Sequence, residues 1–139
     1  MSRILDDYLR AEPIGHLVVS PADVVFSPSR SVRPDLFVVP LVDGRRPRRY
    51  EDVGRLLLAI EVLSSDTARA DRVTKRMLFR DEGVAEYWIV DLDSRTIERS
   101  TPADPRVEVL IDRIEWNAEG ASAALSIDLP AFFASVLDN

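Results

Sequence analysis

A carboxylate stands inside the most apolar stretch of this 139-residue chain: Glu61, in Leu56-Leu57-Leu58-Ala59-Ile60-Glu61-Val62-Leu63. Burying a charge there costs several kcal/mol unless it is paired or holds a cation. A second carboxylate, Asp35, follows Pro34 at the head of another short apolar run, Leu36-Phe37-Val38-Val39. If the two runs are neighbouring strands, both carboxylates point at one place. Two carboxylates and a free backbone carbonyl suit a hard divalent cation, Mg²⁺ or Mn²⁺, which keeps water at its other positions. Such a cation stabilises charge on a phosphate and lowers the pKa of a bound water. Lys75, in the helix expected after Glu61, is placed to reach that water or the phosphate. It is the only lysine among 18 basic residues, and lysine, unlike arginine, can lose its proton when desolvated. Each residue also has a plain structural explanation. Glu61 could pair with Arg33 or Arg55, Asp35 could serve a turn, and Lys75 could pair with Asp71 one turn earlier on an exposed face.

The elements that must position these groups follow from periodicity and punctuation. Residues 4–11 read as a short helix, with Ile4, Leu5, Tyr8 and Leu9 at helical spacing and Pro13 and Gly15 beyond its end. Residues 17–26 read as one strand bent at Pro21, and residues 35–39 as another. Residues 42–52 carry Gly44, Pro47, Arg45, Arg46, Arg48 and Arg49 and read as a loop. That loop is either a solvated connection or an arm for nucleic-acid phosphates. Residues 56–63 have the continuous apolar character of a strand buried on both faces. Ser64, Ser65, Asp66 and Thr67 offer N-caps for a helix over 68–82, with Ala70, Val73 and Met77 as its buried stripe and Gly83 as its cap. Tyr87-Trp88-Ile89-Val90 is then a second buried strand, parallel to the first because a helix connects them. Strands at 96–100 and 107–116 extend the sheet, and a helix over 129–137 closes the chain. The expected class is α/β, a mixed central sheet flanked by helices, with residues 1–139 forming one domain.

Composition narrows the chemistry. There is no cysteine and one histidine, His16, so thiol catalysis and thiolate zinc sites are excluded and no serine triad is supported. Phosphate-cradling glycine motifs are absent, so no nucleotide cofactor is expected. Trp88 and Trp116 sit in strand-like runs and read as core. No apolar run reaches the roughly 18–20 residues that span a bilayer. Acids occupy the N-terminus where an export signal would be apolar, so a cytoplasmic location is expected. The net charge of −6 argues against a polyanion partner, but its distribution does not. Residues 1–80 sum to +3 and residues 81–139 to −9, enough to build one positive face on an acidic protein.

Four segments run in one order and register: Arg33-Pro34-Asp35-Leu36-Phe37-Val38-Val39, then Glu61-Val62-Leu63-Ser64-Ser65-Asp66-Thr67, then Asp71-Arg72 to Lys75, then Gly83-Val84-Ala85-Glu86-Tyr87-Trp88-Ile89-Val90-Asp91. Together they resemble the bacterial putative restriction endonuclease domain, a branch of the PD-(D/E)XK nuclease superfamily, over roughly residues 15–135. The resemblance implies a restriction-endonuclease-like fold and Mg²⁺- or Mn²⁺-dependent hydrolysis of DNA that leaves a 5′-phosphate. It implies that Asp35 and Glu61 are metal ligands, with the Val62 carbonyl a third. The superfamily's lysine normally lies two residues after the glutamate, where this chain has Leu63. In this branch Lys75 matches it, as the group that orients the attacking water and offsets phosphate charge. Relatives begin with an additional hairpin and helix half, so Ile4, Leu5 and Leu9 are expected to leave apolar surface that a second copy could cover. Arg45, Arg46, Arg48, Arg49, Arg69, Arg72 and Arg76 are candidates for backbone phosphates. Nothing resembles a base-reading element, so little sequence specificity is expected. The alternative is a nuclease fold that has lost catalysis and binds nucleic acid or protein.

Overall fold

A computed structural model describes residues 1–28, 30–48, 55–63 and 69–138. Six strands form the main sheet in the order β1 (Gly15–Val19), β4 (Leu36–Pro40), β5 (Leu58–Leu63), β6 (Tyr87–Asp91), β7 (Thr96–Thr101) and β8 (Asp104–Leu110). All neighbours are antiparallel except β5 and β6, which are parallel. The helix α2 (Arg69–Asp81) makes the crossover between them. Two hairpins stand apart from this sheet, β2 (Val24–Ser27) with β3 (Arg30–Val32), and β9 (Arg113–Trp116) with β10 (Leu125–Asp128). The helices α1 (Ser2–Ala11) and α3 (Leu129–Leu137) begin and end the described chain.

The continuous apolar runs become the centre of the sheet. Leu58, Ala59 and Ile60 of β5 and Trp88, Ile89 and Val90 of β6 are fully enclosed, because side chains alternate between two covered faces. Leu58, Ile60, Trp88 and Val90 belong to the larger core, with Leu5 and Leu9 of α1, Trp116, and Phe132 and Phe133 of α3. Ala59, Tyr87 and Ile89 face the other way, onto a core that includes Phe79 of α2 and Val24 of β2. Glu61 follows Ala59 on that second face. Helix α2 stops where its sequence says it must. Gly83 takes φ +72°, Gly83 N–H donates to the Arg80 carbonyl (3.0 Å) and Val84 N–H to the Phe79 carbonyl (3.1 Å), the closing pattern of a helix ended by a left-handed glycine. Gly15 is required for a different reason: a Cβ there would lie 2.7 Å from Val38 Cγ1 and 2.9 Å from the Val39 carbonyl.

Four expectations need correction. Residues 17–26 are two strands in different sheets. Proline supplies no N–H to a ladder, and the chain leaves the main sheet at Pro21, just after Ser20 N–H closes on the Asp35 carbonyl at 2.9 Å. Residues 107–116 likewise divide between β8, which joins the sheet, and β9, which pairs with β10. Leu5 and Leu9 are buried under α1 rather than left as apolar surface. The buried stripe of α2 is rotated by about one residue. Val73 and Met77 point outward, with Met77 57% exposed, beside a cleft of about 170 Å³ between α2 and the β7–β8 hairpin. Arg72, Lys75, Arg76 and Phe79 face the sheet instead, at the i, i+3, i+4, i+7 spacing of one helical face.

Candidate active site

Three elements meet at the C-terminal ends of the parallel strands. β5 carries Glu61 and Val62 there, β4 begins just after Asp35, and α2 lays Lys75 across them. Antiparallel pairing sets Leu36 opposite Ile60. One further step of that register brings Asp35 opposite Glu61, with both side chains on the α2 side of the sheet. Asp35 is exposed and fixed by the β5 backbone: Val62 N–H donates to its Oδ2 at 2.7 Å.

Glu61 is buried, its side chain 9% exposed, and Lys75 Nζ donates to its Oε2 at 2.9 Å. The Lys75 side chain remains 35% exposed, so the pair sits at the boundary of core and solvent. That contact answers how a carboxylate survives in an apolar strand. The sealing cation is neither Arg33, which pairs with Asp23 at 2.8 Å, nor Arg55, which pairs with Glu119 at 2.6 Å.

Beside this pair lies a set of charges that the sequence reading did not single out as a group. Arg72, its side chain 14% exposed, donates to Asp91 Oδ2 at 2.7 Å and lies 3.6 Å from Glu98. Arg76 donates to the other oxygen of Glu98 at 3.3 Å. Asp91 Oδ1 also accepts the N–H groups of Asp93 and Ser94, at 3.0 and 3.1 Å, shaping the turn from β6 into β7. Burial pushes the Asp91 carboxyl up, but Arg72 and these two N–H groups together outweigh it and hold its pKa below the ordinary value. Arg72 and Arg76, both expected as phosphate contacts, are thus paired with carboxylates of the same chain. A signal for this group was present in the sequence, since Asp91 ends the second buried strand and Glu98 alternates inward along β7.

The remaining candidates stand elsewhere. Asp43 and Gly44 both take positive φ, and Val42 and Arg45 exchange two backbone hydrogen bonds, a tight two-residue hairpin of the Asp-Gly kind. Arg45, Arg46 and Arg48 are exposed after it. They leave from the far end of β4, roughly 20 Å along the chain from Asp35 at about 3.3 Å per residue. Arg49 and Ser64 to Ala68 lie outside the described residues, and the side chains of Arg69 and Asp71 are likewise outside the description. His16 is partly buried, and burial, with Arg46 nearby, lowers its pKa. Trp88 and Trp116 are core. Glu12 accepts hydrogen bonds from Ser122 and Ala123, tying the end of α1 to the loop before β10, away from Glu61.

Among the described residues no three histidine or acidic side chains gather as a metal cluster. An ion here would take two carboxylates, a backbone carbonyl and water. Asp35 and Glu61 each have a second oxygen beyond the contacts above, and hard oxygen donors with room for water suit Mg²⁺ or Mn²⁺. The residues present fit such an ion.

This mixed sheet with one parallel crossover, and with acids and a lysine at the C-terminal ends of its parallel strands, has a nuclease-like fold, as its likeness to a solved structure shows. Over 97% of its length the chain superposes on a crystal structure of a putative nuclease belonging to DUF820 from Anabaena variabilis, with a TM-score of 0.76, 18% identity and 76% of that chain covered. Residues 1–134 match the Uma2 family model, described as putative restriction endonuclease, and the chain belongs to that family. No curated protein matches it.

Proposed function

We propose that this protein is a metal-dependent endonuclease that hydrolyses phosphodiester bonds of DNA with little sequence specificity of its own. The observation that carries the reading is the Lys75–Glu61 contact of 2.9 Å at the strand ends where Asp35 is held by Val62 N–H. Asp35, Glu61 and the Val62 carbonyl would hold Mg²⁺ or Mn²⁺, which supplies charge stabilisation on the phosphate and a more acidic water. Glu61 fixes the position of the Lys75 ammonium. Held on that carboxylate, the Lys75 ammonium would orient the attacking water and meet the developing negative charge of the phosphate. Asp35 is held at its Oδ2 by the backbone, so its orientation is set before substrate arrives, a preorganisation that removes reorganisation from the reaction. Arg45, Arg46 and Arg48 are exposed and would contact backbone phosphates away from the scissile bond.

Incubation of supercoiled plasmid with the purified protein in Mn²⁺, Mg²⁺ or EDTA tests this. Nicking in either metal and none in EDTA, with 5′-phosphate ends, is the expected result. A folded protein that leaves the plasmid intact in both metals contradicts it and favours a nuclease fold kept for binding.

A further inference from the structure

Among the described residues of α2, those nearest Glu61 meet the sheet through charge. Phe79, stacked on Tyr87 with ring centroids 4.4 Å apart, anchors the C-terminal half. From 72 to 77 the sheet-facing side chains are Arg72, Lys75 and Arg76, while Val73 and Met77 look outward. Arg72 is three residues before Lys75 and Arg76 one after it, so all three lie on one face. Apolar contact is non-directional and lets a helix turn or slide; ion pairs with fixed geometry do not. Buried ion pairs are weak sources of stability compared with apolar packing, but they can fix register.

We infer that Asp91 and Glu98 are positioning residues for Lys75, clamping Arg72 and Arg76 so that the lysine is presented to Glu61. The inference rests on the nuclease reading for its purpose, but the alignment itself is a property of the free protein. Asp91 reaches Arg72 at 2.7 Å from the end of β6, and Glu98 reaches both arginines from β7. Together they fix both the rotation of α2 about its axis and its position along the sheet. Neither carboxylate needs to touch substrate.

Lys75 is the sole lysine, so lysine labelled with ¹³C at Cε gives a single side-chain resonance to read. In the unsubstituted protein, Glu61→Gln should shift that resonance. In Asp91→Asn, and separately in Glu98→Gln, the response to Glu61→Gln should be lost while near-ultraviolet dichroism from the buried tryptophans is retained. Both substitutions remove a charge at nearly constant volume, and Glu98 lies outside the β6–β7 turn that Asp91 shapes, so the second variant covers a failure of the first to fold. Where cleavage occurs, each should lower kcat by about 10- to 100-fold with KM little changed, the cost of misplacing a catalytic group by an ångström or so. A Lys75 resonance that still responds fully to Glu61→Gln in both variants overturns the inference. The resonance is read without substrate, so a wild-type protein that cuts nothing defeats the nuclease reading while this test still decides the alignment.

Discussion

Glu61 and Lys75 are anomalies of the sequence itself: one acid in an apolar strand, one lysine among arginines. Their contact across 14 residues of sequence needs only the crossover between β5 and β6. What the sequence could not show is which groups seal the neighbouring charges, because ion pairs among many arginines and acids depend on distance and not on type. A partly buried acid tests the burial argument. Glu86 accepts the Trp88 indole N–H at 2.7 Å, and burial raises its pKa against that hydrogen bond and against Arg99. An acid whose folded pKa is raised contributes stability below its ordinary value of 4.5 and loses it as pH rises through the folded value. Glu86→Gln should therefore match the wild type in acid and exceed it in stability at neutral pH, as denaturant midpoints measured across pH 4 to 8 would report. Asp91 has the opposite sign. Its stabilisation is present above 3.8 and disappears as pH falls through its depressed value, so the deficit of Asp91→Asn should shrink in acid.

At the level of elements, the parallel β5–α2–β6 unit and α3 were legible because long apolar runs and a glycine stop are strong local signals. The face of α2 was not. Ala70, Val73 and Met77 satisfy helical spacing as well as Arg72, Lys75, Arg76 and Phe79 do, and the choice is made by Glu61, Asp91 and Glu98 on the sheet beneath. The division of 17–26 and of 107–116 between sheets was equally hidden, since β-propensity does not name a partner. Phe79 is the apolar anchor that this arrangement leaves to α2. Phe79→Ala should cost about 3–5 kcal/mol in chemical denaturation, with a loss confined to a few tenths indicating that the ionic half alone seats the helix.

Across the whole molecule, the proposed function asks an acidic chain to meet a polyanion, and among the described residues the Arg45–Arg48 hairpin is an exposed cluster of basic side chains that could do so. If Arg45, Arg46 and Arg48 each neutralise a phosphate, replacing all three by alanine should reduce the salt slope of DNA affinity by about 2–3. The measure is fluorescence anisotropy over a salt series, and an unchanged slope would place the contact surface elsewhere.

The most direct measurement compares plasmid nicking in Mn²⁺ by the wild type with Asp35→Asn, Glu61→Gln and Lys75→Met, each confirmed folded by the tryptophan dichroism. Loss of at least about 100-fold is expected for every one of the three, as when a group that stabilises charge in the transition state is removed. Full activity in any of them would contradict it, because a site built from two carboxylates and one lysine has no member to spare.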